Sequence, residues 1–166
     1  GYFGPEYFCD REQETEELIN ALVNGSNVTL MAPRRIGKTG LISHAFERMK
    51  ARDKNVRCFY VDIFSTKNFN QMVQFIANAV IGKLDSPSQS VMRKLNTFVS
   101  ALRPTMSQDP LTGMPTFSVS VTAERARDTL QQVFEYMKES GRQCYLAIDE
   151  FQQVSRYTEI GADAFI

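Results

Sequence analysis

Residues 27–50 read Asn27-Val28-Thr29-Leu30-Met31-Ala32-Pro33-Arg34-Arg35-Ile36-Gly37-Lys38-Thr39-Gly40-Leu41-Ile42-Ser43-His44-Ala45-Phe46-Glu47-Arg48-Met49-Lys50. The first five residues form a short apolar, β-compatible run. Leu41, Ile42, Ala45, Phe46 and Met49 follow at spacings of one and three, so the stretch predicts strand, loop, helix. Between them Ala32 to Thr39 fits a phosphate-binding loop with Ala in place of the first Gly. A triphosphate carries several negative charges at close range and needs many donors with little side-chain obstruction. The candidate nucleotide-binding residues here are therefore Ala32, Pro33, Arg34, Arg35, Ile36, Gly37, Lys38, Thr39 and Gly40. Main-chain amides around Gly37 and at the helix start supply donors, Lys38 reaches the β- and γ-phosphates, and the Thr39 hydroxyl coordinates Mg2+. The alternative is a Gly-Lys-Thr helix start with no ligand. Ala32 carries a β-carbon that narrows the backbone choices Gly would leave open.

Toward the amino terminus, Glu12 to Val23 sets Leu18, Ala21, Leu22 and Ile19 on one helical face, and Asn24-Gly25 stops it. Toward the carboxyl terminus, Val56 to Phe64 is nearly continuous in apolar and aromatic residues, the pattern of a strand covered on both faces of a parallel sheet. Phe69, Met72, Val73, Ile76, Ala79, Val80 and Leu84 trace a core-facing helix, and Ser86-Pro87-Ser88-Gln89 opens another, with Val91, Leu95, Phe98 and Leu102 facing one way. Leu102, Pro104 and Met106 alternate with polar residues, as do Phe117, Val119 and Val121 beyond the turn-rich Ser107 to Gly113. That predicts an inserted antiparallel hairpin with one wet face, either packed on the body or exposed to a partner chain. Thr122 reads as the cap of a last helix to about Ser140, with Leu130, Val133, Phe134 and Met137 inward and Gly141 ending it. Cys144 to Ile148 is a third buried strand, and it terminates in Asp149-Glu150.

That pair of acids completes a constellation. Asp149 stands where a carboxylate is needed to hold a metal's water shell opposite Thr39, and Glu150 is placed to polarise an attacking water. Glu150 and Lys38 are thus the candidate catalytic residues, and Thr39 and Asp149 the candidate Mg2+ residues. A GTPase would show Asp-x-x-Gly here and Asn-Lys-x-Asp later, and neither occurs. The plainer alternative is that the two acids cap a strand's exit.

With 166 residues, 43% of them apolar and 23% charged, the chain predicts one globular domain around one core. Nineteen Lys and Arg against nineteen Asp and Glu give DNA no support as a partner, although a local basic groove stays open. No stretch is long and apolar enough for a spanning helix, the start lacks the pattern of a secretory signal, and a cytoplasmic chain is expected. Cys9, Cys58 and Cys144 lie far apart and read as reduced thiols, and His44 reads as a surface or groove residue. Arg34 and Arg35 read equally as contacts to phosphate or a neighbouring subunit and as partners of a local carboxylate. Ser65 and Thr66 read as a loop cap, or as groups holding Glu150 inactive.

The surrounding words resemble the prokaryotic P-loop ATPases of the archaeal ATPase type, in the AAA+ and STAND neighbourhood. Phe8-Cys9-Asp10-Arg11-Glu12 resembles their amino-terminal Phe-x-x-Arg-Glu signature, Ala32 to Thr39 their Gly-Pro-Arg-Arg-x-Gly-Lys-Thr loop (Walker A), and Leu146-Ala147-Ile148-Asp149-Glu150-Phe151-Gln152 their Walker B segment. The resemblance spans nearly the whole chain. It implies an α/β fold of the ASCE-type P-loop class, a parallel sheet flanked by helices, with ATP or ADP and Mg2+ as ligands and an adenine pocket near Tyr7, Phe8 and Arg11. It also implies that the chain is the amino-terminal part of such a domain: three of five core strands are legible, and the sensor strand, arginine finger and winged-helix lid are expected after Ile166. The extra helix and hairpin at about 86–122 fill the interval between Lys38 and Asp149. The expected activity is Mg2+-dependent ATP hydrolysis in a larger prokaryotic protein, as a homo-oligomer, weak or lacking in this stretch alone. The alternative is a STAND-type switch that holds nucleotide with little turnover. A DNA-processing ATPase joined to a nuclease domain rests on family analogy alone.

Overall fold

The computed structural model describes residues 11–31, 37–84, 103–108 and 115–158. The chain forms two compact units, Gly1–Cys58 and Phe59–Ile166. In the first, α1 (Glu12–Val23) packs on α2 (Lys38–Arg52). Thr15, Leu18 and Ile19 are the buried residues of α1, and Leu41, His44, Ala45, Phe46 and Met49 those of α2. Glu12 and Glu16, one turn apart, meet Arg48 and Arg52, also one turn apart. Glu12 pairs with Arg48, while Glu16 reaches Arg48 at 3.0 Å and Arg52 at 2.5 Å. The hydrogen bond from Arg52 holds the Glu16 carboxyl below its ordinary value of 4.5. Acids at the start of one helix and bases near the end of the other also suit the two helix dipoles.

These pairs rise together in sequence, so α1 and α2 run in the same direction and the chain between them must travel back along their length. Asn24 and Gly25 end α1 as expected, their N–H groups donating to Asn20 O at 3.1 Å and Leu22 O at 3.0 Å, with Gly25 at φ 79°. The return path contains the first correction. Asn27 to Met31 forms no strand, and Val28 and Met31 are 39% and 89% exposed. A β-compatible run becomes a strand only beside a hydrogen-bonded neighbour, and among the described residues none pairs with it.

From β1 (Val56–Asp62) the second unit continues through α3 (Phe69–Leu84), β2 (Arg103–Gln108), β3 (Pro115–Ser120), a 3-10 turn (Ala123–Arg125), α4 (Ala126–Glu139), β4 (Gln143–Asp149) and a second 3-10 turn (Phe151–Arg156). β1 pairs with β4. The N–H of Ile63, just past β1, donates to the carbonyl of Asp149, the last residue of β4, at 3.2 Å. Both strands therefore end at the same edge and run parallel, and with their helices they make an α/β arrangement. α3 supplies the centre of the core, where Val73, Ile76, Val80 and Ile81 lie with Phe59 and Ile63 of β1 and its exit and Val133 of α4. β4 is half-buried, not the fully covered strand its apolar run suggests, because among the described residues only β1 flanks it.

Two corrections concern α4. Its buried residues are Ala126, Thr129, Val133, Tyr136 and Met137, at helical spacings of three and four. Phe134, one position after Val133, is turned about 100° away and is 45% exposed, not inward. Thr122 precedes the 3-10 turn, not α4 itself, and its side chain caps no backbone N–H. Glu124's carboxylate accepts from its own backbone and from the Thr122 hydroxyl, which together hold it below its ordinary value. Gly141 ends the helix as expected, at φ 66°.

The hairpin forms as its alternation predicts: β2 and β3 are antiparallel, with Pro104 opposite Val119 and Met106 opposite Phe117. Val119 and Val121 are buried in the core, so the hairpin packs on the body. It is docked by three amide side chains one turn apart on α3. Val119 N–H donates to Asn78 Oδ1 at 2.8 Å, Val121 N–H to Gln74 Oε1 at 3.3 Å, and Asn70 Nδ2 donates to Val121 O at 3.3 Å. A helix face thus stands in for a further strand along the edge of β3. Asn78→Ala leaves a buried N–H without its acceptor, so a loss of about 1–3 kcal/mol is expected in urea unfolding, with Gln131→Ala, on an exposed helix face, as the near-neutral control.

Among the described residues no helix is long and apolar enough to cross a membrane. Cys58 is buried and Cys144 half-buried, and neither is in a disulfide. The expected helix from Ser86 to Leu102, the turn at 109–114, the loop residues Ala32 to Ile36, the aromatic opening with Tyr7, Phe8 and Cys9, and the end after Thr158 lie outside the described residues.

Candidate functional site

In the first unit, α2 opens where the loop motif requires. Gly37 takes φ 78° and ψ 25°, the left-handed region that glycine enters without penalty, and its carbonyl accepts the Leu41 N–H at 2.9 Å. A β-carbon at Gly37 would meet nothing within 4 Å, so the backbone conformation, not crowding, calls for glycine. Lys38 and Gly40 are half-buried and Thr39 is exposed in the first turn. That turn carries a lysine and no acid, the reverse of what the positive end of a helix favours. An anion at this amide-bearing helix end suits both the helix dipole and the lysine.

Arg11, expected beside an adenine pocket, stands at the start of α1. Its carbonyl accepts from the N–H and the hydroxyl of Thr15 at 2.9 and 2.7 Å, and its guanidinium pairs with Glu14 at 3.5 Å. His44 is corrected: it is buried on α2, not at the surface, with Nε2 3.8 Å from the Glu12 carboxylate. It lies three residues after Leu41 and next to Ala45, at the edge of the buried face of α2.

In the second unit Asp149 ends β4, as expected, and is half-buried. Both of its oxygens are held: Oδ1 accepts the Glu150 backbone N–H at 2.8 Å, and Oδ2 accepts the Tyr60 hydroxyl at 2.5 Å. Tyr60 was not singled out from the sequence. Its one signal is a phenol two residues before Asp62 on the same face of a strand otherwise rich in plain apolar side chains. Glu150 has φ 57°, the one positive φ outside glycine among the described residues, a conformation that costs about 1–3 kcal/mol. Its carboxylate accepts a hydrogen bond from Gln152 Nε2, and its carbonyl the Gln153 N–H at 2.9 Å.

Below this strand end, Thr66 is buried. Its hydroxyl bonds the Ile63 carbonyl at 2.6 Å and the Tyr157 hydroxyl, and its carbonyl accepts Gln153 Nε2 at 2.9 Å. The loop-cap reading fits Thr66, and Ser65 is exposed. The sequence-predicted residues thus gather in two groups: Gly37, Lys38 and Thr39 at one helix start, and Asp149 and Glu150, joined by Tyr60 and Gln152, at one strand end. Backbone amides beside a lysine suit a polyanion, and a carboxylate fixed by two donors suits a hard cation's hydration shell.

Residues 8–163 match a family of ATPase domains found predominantly in Archaea. The chain belongs to this family. That membership covers both groups of site residues and agrees with the family resemblance carried by Arg11-Glu12, the loop before α2 and the end of β4. An uncharacterized ATP-binding protein of Methanocaldococcus jannaschii is 28% identical over 161 aligned positions, which cover 89% of this chain and 43% of that protein. The chain therefore spans less than half the length of this relative. No solved structure matches it.

Proposed function

We propose that this chain is a P-loop ATPase domain of the ASCE class that binds ATP with Mg2+ and, within the full-length protein, hydrolyses it. The observation that carries the reading is the opening of α2 on a left-handed Gly37 followed by Lys38 and Thr39, in a chain of an ATPase-domain family. Main-chain amides and Lys38 take the phosphates, with Ala32 to Ile36 completing the loop, and Arg11 and Phe8 border the base. Thr39 in the first unit and Asp149 in the second are each proposed as a Mg2+ residue. The donor chemistry fits: a hydroxyl and a carboxylate are hard oxygen ligands, and Asp149 is oriented by two donors. Among the described residues no three His, Cys, Asp or Glu side chains gather to cage an ion; phosphate and water oxygens would complete the shell. When bound, the cation neutralises charge on the phosphates. Glu150 orients the attacking water.

The switch reading, with nucleotide held and little turnover, draws on one observation: the Glu150 carboxylate is already engaged by Gln152. Steady-state phosphate release by the full-length protein separates the two. Mg2+-dependent turnover well above background supports the enzyme, while co-purifying nucleotide without turnover supports the switch. Failure to bind ATP or ADP in either form overturns both.

A further inference from the structure

We propose that Tyr60 is a positioning residue for Asp149, fixing the carboxylate through which the site takes Mg2+; this rests on the nucleotide reading above. A carboxylate at a strand end turns about two bonds, and each orientation presents a different lone pair. Here one oxygen is tied to the backbone N–H of the next residue and the other to a phenol from the neighbouring strand. The two donors engage different oxygens, so the orientation of the carboxylate is restrained. The Tyr60 bond is charge-assisted and joins residues 89 apart in sequence, so it locks β1 to the end of β4 at the residue that matters.

The lock is built into the strand. Tyr60 is half-buried on β1, on the face opposite Phe59 and Val61, which are both in the core, and its hydroxyl reaches Asp149. Asp62, two residues on and on the same face, does not share the role: its Oδ1 accepts the Phe64 N–H at 2.8 Å. A carboxylate oxygen carries two lone pairs, so one donor orients the group without using up its capacity for a hydrated cation. Partners that orient a metal-binding carboxylate contribute roughly 10–100-fold to metal affinity.

The test uses the full-length protein and its Tyr60→Phe variant, which keeps the ring and removes the hydroxyl. Binding of a fluorescent ATP analogue is titrated with Mg2+ and, separately, in EDTA, with circular dichroism and thermal unfolding as checks of the fold. The expected result is a native spectrum, unchanged affinity in EDTA, and a Mg2+ concentration for half-maximal tightening raised about 10-fold or more. A Mg2+ midpoint equal to wild type overturns the role of Tyr60 and leaves the nucleotide reading standing. A wild-type protein whose affinity ignores Mg2+ overturns both. Should Tyr60→Phe unfold, Tyr60→His, which retains a ring and a donor, must restore fold and midpoint together; a folded histidine variant with a wild-type midpoint supports the role, and one with a shifted midpoint counts against it.

Discussion

Lys38→Ala in the full-length protein is expected to weaken ATP binding by about 100-fold or more. A charged hydrogen bond to phosphate contributes about 1.5–3 kcal/mol, and the lost Coulomb attraction adds to it. Calorimetric titration with ATP is the check, and retained affinity would remove Lys38 from the site.

Glu150→Gln is expected to leave ATP affinity within about twofold while lowering turnover by about 10²–10⁴, the usual contribution of a residue that orients or deprotonates a nucleophile. The change is isosteric. It leaves the left-handed backbone, the hydrogen bond from the Glu150 N–H to Asp149 Oδ1 and the carbonyl contact to Gln153 in place. Stability should therefore change little. Single-turnover assays of bound ATP are the measurement, and unchanged turnover would take Glu150 out of the mechanism.

Much of this fold was legible because periodicity is a local signal. The stripe from Phe69 to Leu84 and the run from Glu12 to Val23 define α3 and α1 to the residue, and the alternation around Met106 and Phe117 gives the hairpin with its apolar positions opposed. Asn24-Gly25 and Gly141 mark helix ends through a backbone conformation that neighbours scarcely influence.

What was misread depends on partners far away in sequence. Asn27 to Met31 has strand composition, but composition supplies no neighbour to pair with. Phe134 is apolar, yet the phase set by Ala126, Thr129 and Val133 turns it out and brings Tyr136 in. The residue type of His44 suggests a surface position, and its burial beside Glu12 follows from packing between α1 and α2.

The candidate site shows the same division. Gly37, Lys38, Thr39, Asp149 and Glu150 stand out through residue type and spacing, because phosphate binding constrains a short continuous stretch. Tyr60 does not, since its partner lies 89 residues away. The amides of Asn70, Gln74 and Asn78 sit between these cases. Their four-residue spacing on α3 was visible, yet only the docked edge of β3 gives it meaning.

The most direct measurement is an amide NMR titration of the protein with Mg-ADP. Binding at the proposed site predicts saturable, one-to-one shifts centred on the amides of Gly37, Lys38 and Thr39, with further shifts at Asp149 and Glu150. Saturable shifts confined to another surface, such as the groove lined by Phe69, Leu130 and Phe134, or none at millimolar ligand, would contradict it.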